Sequence, residues 1–137
     1  MKKIVFLIII FLGVINNTNA EEIKRIMVGN KDAKISIIAF ESLTCSHCAN
    51  FHKDVYPELK KEYIDTGIAK IEFRHFPLDM AAFNASKIAQ CKSDQSLEIL
   101  ESLYSNQQTW VKGNTVEEIN NNLKAFIKQK GFKLDFE

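Results

Sequence analysis

The chain has 137 residues, with 18 Lys and Arg against 17 Asp and Glu and a formal net charge of +1. That balance argues against nucleic acid or an anionic membrane surface as partner, since either leaves a basic excess. Gly and Pro are scarce, at five and two residues, and neither an internal repeat nor a low-complexity segment is present.

The first twenty residues read as an address. Lys2 and Lys3 precede the apolar run Ile4 to Ile15, and Thr18-Asn19-Ala20 places small residues at the −3 and −1 positions. This is the pattern of a secretory signal peptide cleaved after Ala20. The apolar run is shorter than the ~20 residues of a bilayer-spanning helix, so no stable membrane insertion is expected. No Cys lies at the cleavage point, which argues against a lipid anchor. Export implies an oxidising compartment. The remainder, residues 21–137, fits a single domain. Without Lys2 and Lys3 it carries 16 basic against 17 acidic residues, a net charge of −1.

Glu22 to Val28 is a first strand candidate, ended by the turn-like Gly29-Asn30-Lys31-Asp32. Ile35 to Phe40 is apolar on both faces, as a central strand covered by helices should be. Ser46 to Tyr63 follows with helical spacing. Cys48, Val55, Leu59 and Tyr63 form its expected buried stripe. Pro57 interrupts this helix and should kink it, and Gly67 ends it. Ala69 to His75 alternates, with Ile71, Phe73 and His75 on one face and Lys70, Glu72 and Arg74 on the other. Two strands joined by such a helix should run parallel with a right-handed crossover. Beyond Pro77 the pattern is helical to about residue 131. Ala81, Ala85, Ile88 and Ala89 form one stripe; Leu97, Leu100, Leu103 and Tyr104 form a second. Thr115-Val116-Glu117-Glu118 matches a capping box ahead of Val116, Ile119, Leu123 and Ile127, and Gly131 closes that helix.

The chemistry concentrates in Thr44-Cys45-Ser46-His47-Cys48. Two thiols three residues apart, at a strand-to-helix junction, can exchange two electrons by making and breaking one disulfide. The free N–H groups and dipole of a helix start favour a thiolate. They can lower a cysteine from about 8.5 to roughly 3.5–7.5. Cys45 occupies that place and is the expected nucleophile, and Cys48, on the buried face, is the resolving thiol. A protonated His47 between them would lower the thiolate pKa further. A three-residue loop makes a poor structural staple. A zinc site recruiting His47, His52 or His75 lacks a second spaced ligand pair, so no metal and no cofactor are expected. Ala49 excludes covalent haem attachment. His52 and His75 are expected to pack. Glu41, four residues before Cys45, is read as a solvated loop residue, with proton acceptance from the buried thiol as the sharper alternative. Cys91 is expected to be buried and structural, with pairing between chains as the alternative.

Phe40 to Cys48 with Phe51, Pro57 and Phe73-Arg74-His75-Phe76-Pro77-Leu78 resembles the DsbA-like thioredoxin-fold oxidoreductases of bacterial cell envelopes. Cys91, Leu103, Gln107-Gln108 and Trp110 look like that family's helical insert, and the resemblance covers most of Lys24 to Phe136. It implies an α/β thioredoxin-like βαβ fold with a helical subdomain at about 79–131. It also implies a periplasmic location and disulfide donation to newly exported, reduced proteins. Recycling by a membrane redox partner follows from the same likeness. By motif position Cys45 would attack, Cys48 would resolve and His47 would help stabilise the thiolate. Ser46 stands where the DsbA type usually has proline. The family's later strands and cis-proline loop have no counterpart here, which reads as a fold cut short at its C-terminus. The alternative reading is a non-catalytic remnant of such an enzyme, or a helical binding module.

Overall fold

The computed structural model describes residues 24–91 and 96–132. The expected leader, residues 1–20, lies outside them. Among the described residues three strands form one sheet in the order β1-β3-β2: β1 Ile26–Gly29, β2 Ile35–Glu41 and β3 Ala69–His75. β2 runs parallel to β3, with Ile35 opposite Ala69 and Glu41 opposite His75. β1 is antiparallel to β3 and pairs Ile26 with Phe73. The central strand is therefore β3, with Ile71 and Phe73 buried. Glu72 on its other face is held by Arg74 at 2.8 Å and Arg25 at 3.5 Å. Gly29 adopts φ +107°, and an added Cβ would fall 3.0 Å from the Ala69 carbonyl, so the turn into Asn30 needs glycine.

β2 departs from expectation. Ile35, Ile38 and Phe40 are 52, 45 and 62 % exposed. Among the described residues β2 is an edge strand, so its two apolar faces do not mark a covered central strand.

The helix after β2, here α1, runs continuously from Ser46 to Ile64. α-Helical Ser46–Asn50 and Tyr56–Leu59 alternate with π-helical Phe51–Val55 and Lys60–Ile64. Pro57 sits in the first turn after the first wide stretch. Widening the preceding turn relieves the clash of the proline ring with the backbone behind it, and the helix continues. Each wide turn also adds a residue to the repeat. The buried positions consequently become Tyr56 and Ile64, while Val55 and Tyr63, expected inside, are about half exposed.

Among the described residues four helices follow: α2 Met80–Gln90, α3 Ser96–Ser105, α4 Gln107–Trp110 and α5 Val116–Gln129. Ala81, Ala85 and Ala89 bury the expected stripe of α2, joined by Ala82. Ile99, Leu100, Leu103 and Tyr104 bury α3, and Leu123, Phe126 and Ile127 bury α5. Asp79 caps α2 by accepting from Ala82 N–H at 2.7 Å. Thr115 caps α5 by accepting from Glu118 N–H at 3.2 Å. The Glu118 carboxylate returns to Asn114 N–H at 2.7 Å, so the capping box closes one residue early. Trp110, fully buried, donates its indole N–H to the Leu103 carbonyl at 2.9 Å and fixes α4 against α3. One core contains β3, Tyr56 and Ile64 of α1, and the inner faces of the later helices. No described helix is long and apolar enough to cross a membrane.

Candidate active site

The loop from Ser42 to Cys45 joins β2 to α1 and is held from two sides. Cys45 N–H donates to the Ser42 carbonyl at 3.1 Å, forming a tight turn. From the β3 side, Phe76 N–H reaches the Glu41 carbonyl at 2.8 Å and Leu78 N–H reaches Ser42 Oγ at 3.3 Å. Thr44 Oγ1 donates to Asp79 Oδ2 at 2.6 Å. From the helical side, the buried Gln107 amide donates from Nε2 to the carbonyls of Leu43 and Cys45, at 2.9 and 3.0 Å.

This frame makes Cys45 the N-cap of α1, with extended backbone (φ −77°, ψ 118°). The Cys48 backbone N–H, by its hydrogen bond to the Cys45 sulfur, is the largest influence pulling that thiol below its ordinary value. Slight burial opposes it, and the Cys48 thiol and the His47 backbone N–H assist. Cys48 moves the other way. Burial pushes it up, aided by its hydrogen bond to Cys45 and by the charges of Cys45 and Glu41; a backbone hydrogen bond from Ser42 opposes the rise. Two thiols one helical turn apart thus differ in proton affinity as attacking and resolving groups require. His47 is exposed, and its contribution to the Cys45 sulfur comes through the backbone N–H.

Glu41 is not a solvated loop residue. It is the last residue of β2, 4 % exposed, and accepts from His52 Nε2 at 2.9 and 3.1 Å. The His52 ring stacks on Tyr104 with centroids 4.2 Å apart and lies 5.0 Å from Phe73. His52 does pack, as expected, but it also gives a buried carboxylate its hydrogen-bond donor. The sequence signal was present: His52 stands four residues after Cys48, on the inner side of the same helix. Glu41 and Cys48 line one shallow groove of about 280 Å³ with Ala39, Phe40, His47 and Phe51. A second cavity, of about 450 Å³, opens on the other side of α1 between Ser46, Asn50, Lys53, Tyr104 and Gln107.

His75 is half-buried, and burial pushes its pKa down. Cys91 is exposed, contrary to the expected buried thiol. It directly follows α2, where the chain leaves the apolar stripe that ends at Ala89. Among the described residues no cluster of three or more His, Cys, Asp or Glu side chains is placed to hold a metal ion.

Comparison with known proteins agrees with this geometry. A family model described as Thioredoxin matches residues 21–137. A Rickettsia bellii protein, provisionally named a protein-disulfide oxidoreductase, is 36 % identical over 95 residues, covering 68 % of this chain and 37 % of its own. Bacillus cereus "Probable disulfide bond formation protein D" is 30 % identical over 80 % of this chain and 52 % of its own. Among solved structures, Wolbachia pipientis α-DsbA1 superposes with a TM-score of 0.70 at 28 % identity, over 90 % of this chain and 60 % of that one. A protein-disulfide isomerase from Novosphingobium aromaticivorans gives 0.65 at 21 % identity, over 80 % of this chain and 66 % of that one, a likeness of fold. The chain thus spans little more than a third of the Rickettsia relative. The parallel β2–α1–β3 unit, the thiol pair at the start of α1 and the helical insert after β3 are all in place. The chain belongs to the thioredoxin family and is similar to its DsbA proteins.

Proposed function

We propose that this chain is an exported thiol–disulfide oxidoreductase that promotes disulfide formation in envelope proteins through Cys45 and Cys48. The observation that carries the reading is the placement of the two thiols: Cys45 is the N-cap of α1, where backbone N–H groups pull its thiol down, and Cys48 lies one turn inward, where burial pushes it up. The names of the relatives support the reaction class. Export rests on the N-terminal pattern of charge, apolar run and Thr-x-Ala, which supports a periplasmic location.

In the oxidised protein Cys45 and Cys48 share a disulfide. A substrate thiolate attacks Cys45 Sγ; the Cys45–Cys48 bond breaks, and Cys48 leaves as a thiolate that takes up a proton. A second substrate thiolate then attacks the substrate sulfur of the mixed disulfide and expels Cys45 as a thiolate. Two electrons pass from substrate to protein, and the substrate gains one disulfide. Because Cys45 is the more acidic thiol, it is the better leaving group in this second step. The electrons pass on to a membrane redox partner.

The test is a trap. Cys48→Ser should accumulate a mixed disulfide when its Cys45 thiolate attacks a substrate protein whose single cysteine is held as a disulfide with thionitrobenzoate, which leaves as the free thiolate. Mass spectrometry locating the adduct at Cys91, or finding none, would reject the reading.

A further inference from the structure

Gln107 is the polar residue from the helical insert that enters the thiol loop. It is 4 % exposed and is the first residue of α4. Both of its described side-chain hydrogen bonds leave from Nε2 and end on backbone carbonyls more than sixty residues earlier, those of Leu43 and Cys45. An amide nitrogen has two protons, and here each has one acceptor. A glutamine that only filled space would not need this geometry, because leucine fills a comparable volume without a buried donor pair.

The acceptors matter more than the number of bonds. The Cys45 carbonyl also takes the first helical bond, from Ala49 N–H at 3.1 Å. Gln107 therefore fixes the same peptide plane whose orientation makes Cys45 the N-cap. That plane decides whether the N–H groups of His47 and Cys48 point at the Cys45 sulfur, which is the arrangement that acidifies it. The amide dipole adds to the effect, because its positive end is held at the carbonyl of the nucleophile's own residue. Gln107 itself is held by α4, and α4 is locked by the buried Trp110 indole on the Leu103 carbonyl.

We propose that Gln107 is a positioning residue for thiol–disulfide exchange. By clamping the Leu43 and Cys45 carbonyls, it holds the helix start in the geometry that stabilises the Cys45 thiolate, and so ties the redox poise of the pair to the helical insert. This rests on the oxidoreductase reading above. The effect on Cys45 reactivity is nonetheless measurable without any protein substrate.

The experiment uses the full chain in reduced form. Iodoacetamide alkylation is followed against pH by peptide mass mapping, which separates Cys45 from Cys48 and Cys91. The equilibrium with a glutathione redox buffer is measured alongside. Gln107→Met should move the Cys45 alkylation midpoint to higher pH and shift the glutathione equilibrium about threefold toward the disulfide, the scale of one lost hydrogen bond. Leu123→Ala, a core change remote from the loop, serves as the comparator and should leave both readouts in place while lowering stability. Gln107→Met that lowers the melting temperature without moving either readout overturns the proposal, as does Leu123→Ala moving them equally. If Gln107→Met does not fold, the wild-type side-chain amide resonances of Gln107 decide. They should shift between the dithiol and disulfide forms, and unchanged resonances overturn the proposal. A wild-type chain that fails to exchange with glutathione disulfide sinks the oxidoreductase reading alone, since the alkylation midpoint still tests Gln107.

Discussion

At the scale of single residues, the placement of Cys45 and Cys48 was legible because a local spacing and one helix start determine it. With Cys45 lowered and Cys48 raised, Cys45 should alkylate well below the pH of an ordinary thiol, while Cys48 stays unmodified. Equal labelling at pH 5 would refute the assignment. Glu41 was misjudged for a physical reason. Whether a carboxylate at a strand end is solvated depends on what packs over it, and His52 arrives from the next element. Removing the carboxylate leaves the buried His52 Nε2–H without its acceptor, so Glu41→Ala should cost about 1–3 kcal/mol in a denaturant titration. Glu41→Gln keeps an acceptor for His52 Nε2 and should cost less. It also removes a charge that raises Cys48, so the Cys48 alkylation profile should move to lower pH; a profile that stays in place would show that this charge is not felt. Cys91 was misplaced because burial at a helix end depends on the following chain, not on the stripe before it.

Among the elements, the apolar periods of α2, α3 and α5 were readable, since a stripe of alanines or leucines has one sensible destination. The buried face of α1 was not. A π turn shifts every later position by about one residue, and sequence periodicity assumes a constant repeat. Pro57 was the clue, but it marks where the helix must adjust, not how. β2 was misread for a related reason: an apolar run announces the need for cover without saying what supplies it. In the described fold Ile38 and Phe40 stand exposed beside an unpaired strand edge, an arrangement that invites pairing between chains. The chain Glu21 to Glu137, expressed alone, should therefore self-associate as its concentration rises. Ile38→Lys should reduce that association with little effect on thiol alkylation. Sedimentation that shows a monomer for the wild-type chain across micromolar concentrations would contradict this.

For the whole molecule, the thiol pair links redox state to stability, and pH separates the contributions. In the reduced protein the Cys45 thiol has a lower pKa folded than unfolded, where it is about 8.5. Its contribution to stability is fully present above the unfolded value and is lost as pH falls through the folded value. Cys48 is raised, so its effect has the opposite sign: it appears only as pH climbs past the unfolded thiol value, where it destabilises the reduced form. The oxidised protein has neither term. The disulfide restricts the unfolded chain, but that restriction does not depend on pH. Groups present in both forms cancel to first order when the two melts are compared at one pH. The stability of the reduced form relative to the oxidised form should therefore rise as pH climbs through the lowered Cys45 value to the unfolded thiol value of about 8.5, and flatten or turn over beyond it. Melts of both forms at matched pH measure this directly. Parallel curves, with a constant difference across that range, would mean that the fold does not favour the Cys45 thiolate, and the redox reading would lose its physical basis.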